Sequence, residues 1–428
     1  MSLLHAYYRV FQAVFNVGAR LIPWRKAKPV KGAGSIAQIP ELLKQNGVTK
    51  VMVVTDPGLV KAGVAGKILE ALAAAEMDFE LFCEVQPNPT VAVVNEITSL
   101  YHASGCNGFV AIGGGSSMDA AKATAARVAK PKKTTQQLGG LFKVLKRIPP
   151  FIAVPTTAGT GSETTIAALI TDEKTHHKYA LMDLSLIPHY AILDPNLTVG
   201  LPPFITAPTG MDALTHAVEA YLCWTYNTTE SKRFALEATA AIFRNLERAY
   251  NNGADIEARE AMLEASYKAG FAFTRAGVGN VHAIAHTLGG LYNAAHGVAN
   301  AVILPVVLRD YGKKVHEKLA QLATSAGIAD EGASDEQNAN RFIDEIEAMS
   351  ERMGIPKGFD FIKDEDISQM VLWALAECNP LYPVPVLYDA SRCRRIIESI
   401  RVSPNPARNP EQSPAWSPTQ NPAQNPTK

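Results

Sequence analysis

GFVAIGGGSSMDAAKATAA, Gly108–Ala126, is the stretch on which the fold turns. Its first half is a short apolar run without charge, bounded by glycine, and reads as a buried strand. Its second half opens a helix, and Gly113, Gly114 and Gly115 join the two. A helix N-terminus offers free N–H groups and the positive end of a dipole, and glycines let an anion reach the backbone. The turn therefore suits a phosphate. It is not the GxGxxG of the usual dinucleotide fingerprint, and glycines also serve ordinary tight turns.

Working outward, the same alternation recurs. KVMVVTD (Lys50–Asp56), FELFCEV (Phe79–Val85), FIAVPTT (Phe151–Thr157), AALITD (Ala167–Asp172) and YAILDP (Tyr190–Pro195) read as strands. Leu59–Glu76 and Val91–Gly105 read as helices between them. Strand–helix alternation implies a mostly parallel sheet covered on both faces. LPPFITAPTG (Leu201–Gly210) reads as a Pro-rich hinge, and from Met211 to about Arg401 only helical patterns follow. The expected organisation is an N-terminal amphipathic helix (1–25), a Rossmann-like α/β nucleotide-binding domain (26–203), an all-helical metal-binding domain (204–401) and a disordered Pro-rich tail (402–428). The cleft between the two halves is the expected site.

The helix at residues 1–24 carries Leu4, Tyr7, Phe11, Val14, Phe15 and Leu21 at helical spacing, and Arg20, Arg25, Lys26, Lys28 and Lys31 follow without an acid. It suits docking on its own domain or on a second subunit. The alternative is a helix lying on a membrane surface.

Lys+Arg and Asp+Glu are both 41, a balance that argues against broad nucleic-acid binding. The five cysteines are scattered and form no CxxC pair, as expected of free thiols in the cytoplasm. No apolar run approaches the ~20 residues that span a bilayer.

PTTAGTGSE (Pro155–Glu163) is a second loop of glycines and hydroxyls at a strand end. Two such loops at strand carboxyl ends fit a dinucleotide held by its phosphates and ribose. Asp56, ending the first clear strand, suits a bond to an adenosine ribose hydroxyl and would repel a 2′-phosphate, which favours NAD. A plain acidic turn residue fits the pattern equally.

Two further patterns concern a metal. TGMDALTHAVEA (Thr209–Ala220) sets Asp212 and His216 four apart. NVHAIAHTLGGLYNAAHG (Asn280–Gly297) sets His282 and His286 four apart, with His296 ten further on. Residues four apart share a helix face. One such helix is more often an ordinary buried pair; two in one domain, without competing cysteines, point to a divalent ion. An N/O donor set suits Fe(II), Zn(II), Mn(II) or Co(II), and spacing does not separate the three downstream histidines.

With GGGSSMD, PTTAGTGSE, TGMDALTHAVEAY and VHAIAHTLGG followed by HG in hand, the chain resembles the iron-containing (group III) alcohol dehydrogenases over about Lys26–Arg401. The resemblance implies a dehydroquinate synthase-like architecture and reversible hydride transfer between a primary alcohol and NAD. It implies Asp212, His216, His282 and His296 as ligands of Fe(II), or of Zn(II), with His286 as a non-ligand histidine on the reacting side. It implies cofactor contacts from Asp56, Asn88, Gly114, Gly115, Ser116, Thr156, Thr157, Thr160 and Lys178, an aromatic pocket wall at Phe273, and a homodimer or higher oligomer. Ala167 and Arg275 stand where relatives have asparagine, which touches substrate identity. Glycerol dehydrogenases and dehydroquinate synthases are the nearest alternatives. A metal hydrolase would leave both loops without a task, and a non-catalytic scaffold would be expected to have lost a ligand.

Overall fold

The computed structural model describes residues 3–22, 24–173 and 177–403. From residue 404 on, the expected Pro-rich tail lies outside the described residues. The chain divides into two compact units.

The first comprises residues 23–201 and 253–274. Its strands are β1 (Lys28–Lys31), β2 (Lys50–Val54), β3 (Asp78–Phe82), β4 (Gly108–Gly113), β5 (Gly140–Leu141), β6 (Phe151–Pro155), β7 (Ala167–Asp172), β8 (His177–Met182) and β9 (Tyr190–Leu193). Six of them form one sheet in the order β1-β9-β6-β4-β2-β3, with every pairing parallel. The central strands β2, β4 and β6 are almost wholly buried, as a sheet covered on both faces requires. Apolar clusters fill the two sides: Phe109, Phe151, Met118 and Ile97 on one, Val53, Ile112, Ile68 and Leu43 on the other. β7 and β8 pair antiparallel beside it, with β5 parallel on the edge of β8.

The α/β sheet followed by helices is the fold class the alternation predicts. Three strands, β1, β5 and β8, are not among the expected ones. Lys28–Lys31 and Gly140–Leu141 are short and carry no long apolar run, and His177–Met182 opens on His-Lys before its apolar Tyr179–Met182.

The second unit comprises residues 1–22, 202–252 and 275 onward, and its described core is helical. Two boundaries differ from expectation. The helix Ile256–Ala276 runs with the sheet's unit as far as Thr274, where Gly270 meets Gly161 and the Tyr267 hydroxyl donates to the Ala27 carbonyl. The N-terminal helix, Leu3–Leu21, belongs to the helical unit.

The expected hinge at Leu201–Gly210 is instead the start of a helix, Pro203–Leu222. Pro203 occupies the first turn, where a missing N–H costs nothing. Pro208 sits inside the helix. The Thr206 and Thr209 hydroxyls donate to the carbonyls of Pro202 and Ile205 in this turn. Everything from Gly210 to Leu222 is buried, and that packing outweighs the local penalty.

The N-terminal helix docks by its polar side. Gln12 is fully buried; its amide donates to the Pro380 and Tyr382 carbonyls and accepts from Trp224 Nε1. Arg9 donates to the Val384 and Pro385 carbonyls, and Asn16 to the Thr225 hydroxyl.

All five cysteines are free, four of them buried. Among the described residues no helix is long and apolar enough to cross a membrane.

Candidate metal centre and nucleotide loops

Three helices of the helical unit build the metal cluster. Pro203–Leu222 carries Asp212, His216 and Glu219 on successive turns. Asn280–Tyr292 carries His282 and His286. His296 opens the helix His296–Tyr311. Asp212 Oδ1 lies 3.5 Å from His296 Nε2, 3.8 Å from His282 Nε2 and 4.0 Å from His216 Nε2. The donor atoms of Asp212, His282 and His296 all fall within 4.8 Å of one another. His216 stacks on His282 with ring centroids 4.6 Å apart. Ligands each ~2.1 Å from one ion stand roughly 3–4 Å from each other, so this donor set fits a single divalent cation.

The electrostatics fit as well. Burial works against the Asp212 charge, yet His216, His296 and His282 hold its carboxyl well below the usual range. Burial presses the His282 imidazolium down, but Glu219 and Asp212 outweigh it and lift the pKa to about 9.

Glu219 is a residue that sequence reasoning missed. Its carboxylate accepts from Gly279 N at 2.9 Å and Val281 N at 2.8 Å, at the N-terminus of the helix that carries His282. The same carboxylate lies 2.6 Å from His282 Nδ1. Free N–H groups and the dipole favour an acid there. Glu219 thus caps the helix and fixes its histidine, with Nδ1–H toward Glu219 and Nε2 toward Asp212.

Asn300, one turn beyond His296, was also missed. Its Nδ2 is 2.7 Å from Asp212 Oδ1, 3.1 Å from His296 Nε2 and 3.2 Å from His282 Nε2. His286 points elsewhere: its Nδ1 is 2.6 Å from Glu377 Oε1, and the Tyr382 hydroxyl donates to the same oxygen. Burial opposes the Glu377 charge, but His286 and Tyr382 keep its pKa below the ordinary value. The His286 and His296 rings stack 5.1 Å apart.

The two glycine-rich loops lie in the α/β unit. Gly113 ends β4 at φ +148°, a backbone L side chains avoid, and a Cβ there would meet Ser117 Oγ at 2.6 Å. The helix Gly115–Ala129 starts at once. A Cβ on Gly114 would lie 3.4 Å from Thr157 Oγ1, and one on Gly115 3.2 Å from Thr160 Cγ2. The two loops therefore face each other across a narrow turn, in which Gly113 is the position that requires glycine. Thr156 N donates to the Gly113 carbonyl and ties them further.

Beneath the loops lies Lys122, fully buried, with Nζ within 3.1 Å of the Ser162, Thr165 and Ala167 carbonyls and of the Ser162 and Thr165 hydroxyls. Asp119 accepts from Ser162 Oγ and Leu169 N. Burial lowers the Lys122 pKa to about 8 and raises that of neighbouring Glu163 to about 7.

Asp56 caps the helix Pro57–Lys61, accepting from Leu59 N, and its Oδ2 lies 3.5 Å from a Cβ built at Gly113. It is both an acidic turn residue and a neighbour of the glycine turn. Lys178 Nζ donates to Asn88 Oδ1 at 2.9 Å, which joins two of the expected cofactor contacts. Phe273 is half-buried on the helix Ile256–Ala276.

Comparison with known proteins places the chain in a family. Residues 27–195 match the iron-containing alcohol dehydrogenase domain, and residues 206–392 the C-terminal domain of the Fe-containing alcohol dehydrogenase family. The chain is 39% identical over 340 residues to the NAD-dependent methanol dehydrogenase of Bacillus methanolicus, covering 79% of this chain and 89% of that protein. It is 35% identical over 350 residues to the lactaldehyde reductase of Escherichia coli (strain K12), covering 81% and 89%. A crystal structure of 1,3-propanediol oxidoreductase superposes with a TM-score of 0.85 at 34% identity, covering 89% of this chain and 100% of that one. Both units carry the family's pattern, and the chain belongs to the iron-containing alcohol dehydrogenases.

Proposed function

We propose that this alcohol dehydrogenase moves a hydride between a primary alcohol, or its aldehyde, and NAD(H). The observation that carries the reading is the cluster of one carboxylate and three imidazoles, buried except at His296, with His282 oriented by Glu219. Asp212, His216, His282 and His296 would hold the ion, Fe(II) in the first place and Zn(II) in the second. When bound, the ion supplies Lewis-acid polarisation of the substrate oxygen, and the nicotinamide supplies the hydride chemistry.

The remaining work belongs to side chains of this chain. The Asp212 carboxylate offsets cationic charge in the buried cluster. Glu219 holds Nδ1–H of His282, so that Nε2 is the ring atom turned toward the ion. Glu377 holds Nδ1–H of His286, which leaves Nε2 to take a proton from the alcohol or return one to the aldehyde. Gly114, Gly115, Ser116, Thr156, Thr157 and Thr160 cradle the pyrophosphate. Asp56 takes the adenosine ribose, and Lys178 with Asn88 borders the cofactor. Phe273 walls the substrate side. The relatives act on methanol, lactaldehyde and propanediol by name, and we place the substrate of this chain among short alcohols and aldehydes. We expect a homodimer or larger homo-oligomer in the cytoplasm.

The test is a screen of anaerobically Fe(II)-loaded protein for NADH oxidation over a panel of short aldehydes, beside His282→Ala. Turnover in the parent, and loss of both metal and turnover with retained NADH binding in the variant, are expected. Retained metal without NADH binding in the parent would favour the hydrolase reading instead.

A further inference from the structure

The N-terminal helix is docked inside out. Its polar residues Arg9, Gln12 and Asn16 bond to the helical unit, where the Phe15 ring also packs on Tyr226, and a row of its other apolar residues faces away. Leu3, Leu4, Tyr7, Val10, Val14, Val17 and Leu21 are 55–93% exposed. They are seven of the fifteen large apolar side chains exposed among the described residues, gathered on one helix. Arg20 is the one charged residue at an exposed position of this helix.

The spacing identifies what covers this face. Leu3, Tyr7, Val10, Val14, Val17 and Leu21 follow one another at steps of four, three, four, three and four. That is the 3.5-residue period of a coiled-coil seam, held for the length of the helix. Ala6, Ala13 and Gly18 flank the seam and leave room for a second backbone to approach. We propose that this face pairs with the same helix of a second copy of the chain.

Charge and area agree. A helix bound to an anionic membrane surface draws on cations beside its apolar face. Here the cations after the helix are engaged within the α/β unit: Arg25 donates to the Ser185 and Ile187 carbonyls, Lys31 pairs with Glu264, and Lys26 and Lys28 lie over the Phe271 and Tyr190 rings. Covering seven large side chains at roughly 100 Å² each gives about 700 Å² per protomer, close to the ~800 Å² per partner of a standard interface. The helix lies outside both matched family segments. The inference stands apart from the hydride-transfer reading, and its test reads assembly, not turnover.

The first experiment is analytical ultracentrifugation of the full chain carrying Val10→Lys, Val14→Lys and Val17→Lys. The variant is expected to sediment at half the parental mass with turnover per site unchanged; parental mass would overturn the proposal. The second places Val10→Cys and Val14→Cys together in a Cys83→Ser background. Oxidation should link protomers whether the helices run parallel or antiparallel, while exposed Asn340→Cys should not. Absence of that link overturns the pairing. So does flotation of the parent with phosphatidylserine-containing vesicles at a mass that the lysine variant leaves unaltered.

Discussion

Replacing Glu219 by glutamine keeps the side chain's shape and removes its charge. Two carboxylate oxygens accept from Gly279 N and Val281 N and hold His282 Nδ1. A glutamine has one carbonyl oxygen, so its NH2 must face either the Val281 N–H or the pair formed by Gly279 N and His282. A buried N–H left without an acceptor costs roughly 1–3 kcal/mol. Losing the carboxylate behind a metal-binding imidazole typically weakens ligation about 10–100-fold. A second effect opposes this. In the metal-free protein His282 has a pKa of about 9, so at pH 7 the ion must displace a proton. Two units correspond to about 100-fold in apparent affinity. Without Glu219 that pKa falls and most of the proton penalty disappears. The net loss of Fe(II) or Zn(II) affinity in Glu219→Gln is therefore expected to be large at pH 9.5 and small at pH 7. Competition with a chromophoric chelator at both pH values measures it. A loss equal at the two, or greater at pH 7, would refute the assignment of Glu219 as the group that both charges and orients His282.

The same linkage predicts that the parental protein's apparent metal affinity climbs about tenfold per pH unit from pH 7 toward pH 9 and then levels, which the same titration reads. Its sign follows from a pKa raised in the folded state: the stabilisation that protonated His282 gives the metal-free protein is complete below the unfolded value near 6.5 and is lost as pH rises through about 9. Asp56→Gly should raise NADPH use relative to NADH and cost about 1 kcal/mol of stability through the lost cap; an unchanged coenzyme ratio would remove the ribose role. Glu377→Gln should lower kcat on the order of 10-fold or more, with NADH affinity and metal content unchanged, because His286 loses its fixed tautomer.

The strands whose apolar runs are uninterrupted, β2, β4 and β6, were legible because burial on both faces leaves no polar position in them. β1 and β8 were not, since a lysine-bearing edge or hairpin strand looks like a loop until its partner is known. The proline-rich start of Pro203–Leu222 was misread for a related reason. Local chemistry opposes a helix at Pro208, and only the buried surroundings of the next turns decide for one. In the site, repeated four-residue spacing exposed Asp212, His216, His282 and His286. Glu219 and Asn300 share helices with ligands and were in view, but nothing in one helix announces what another brings against it. Glu377 lies 91 residues from His286 and carries no local signal at all. The division of the histidines between ligands and His286 came from family resemblance, and the orientation of His286 toward Glu377 is consistent with it.

The buried Lys122 has a consequence for how a coenzyme comes and goes. Its ammonium holds the Ser162–Ala167 segment against the helix that begins at Gly115, and it has no water to fall back on. Prising the two loops apart would strip that cation of its oxygen partners in a dry interior, a far costlier act than letting go of a surface ion pair. The Ser162–Ala167 segment is consequently tied to the helix that follows the glycine turn whether or not a dinucleotide is bound. Little ordering entropy is then lost on capture. If these loops hold the coenzyme phosphates as proposed, its release would then call for motion elsewhere in the protein, and the dwell time of the coenzyme would be set away from them.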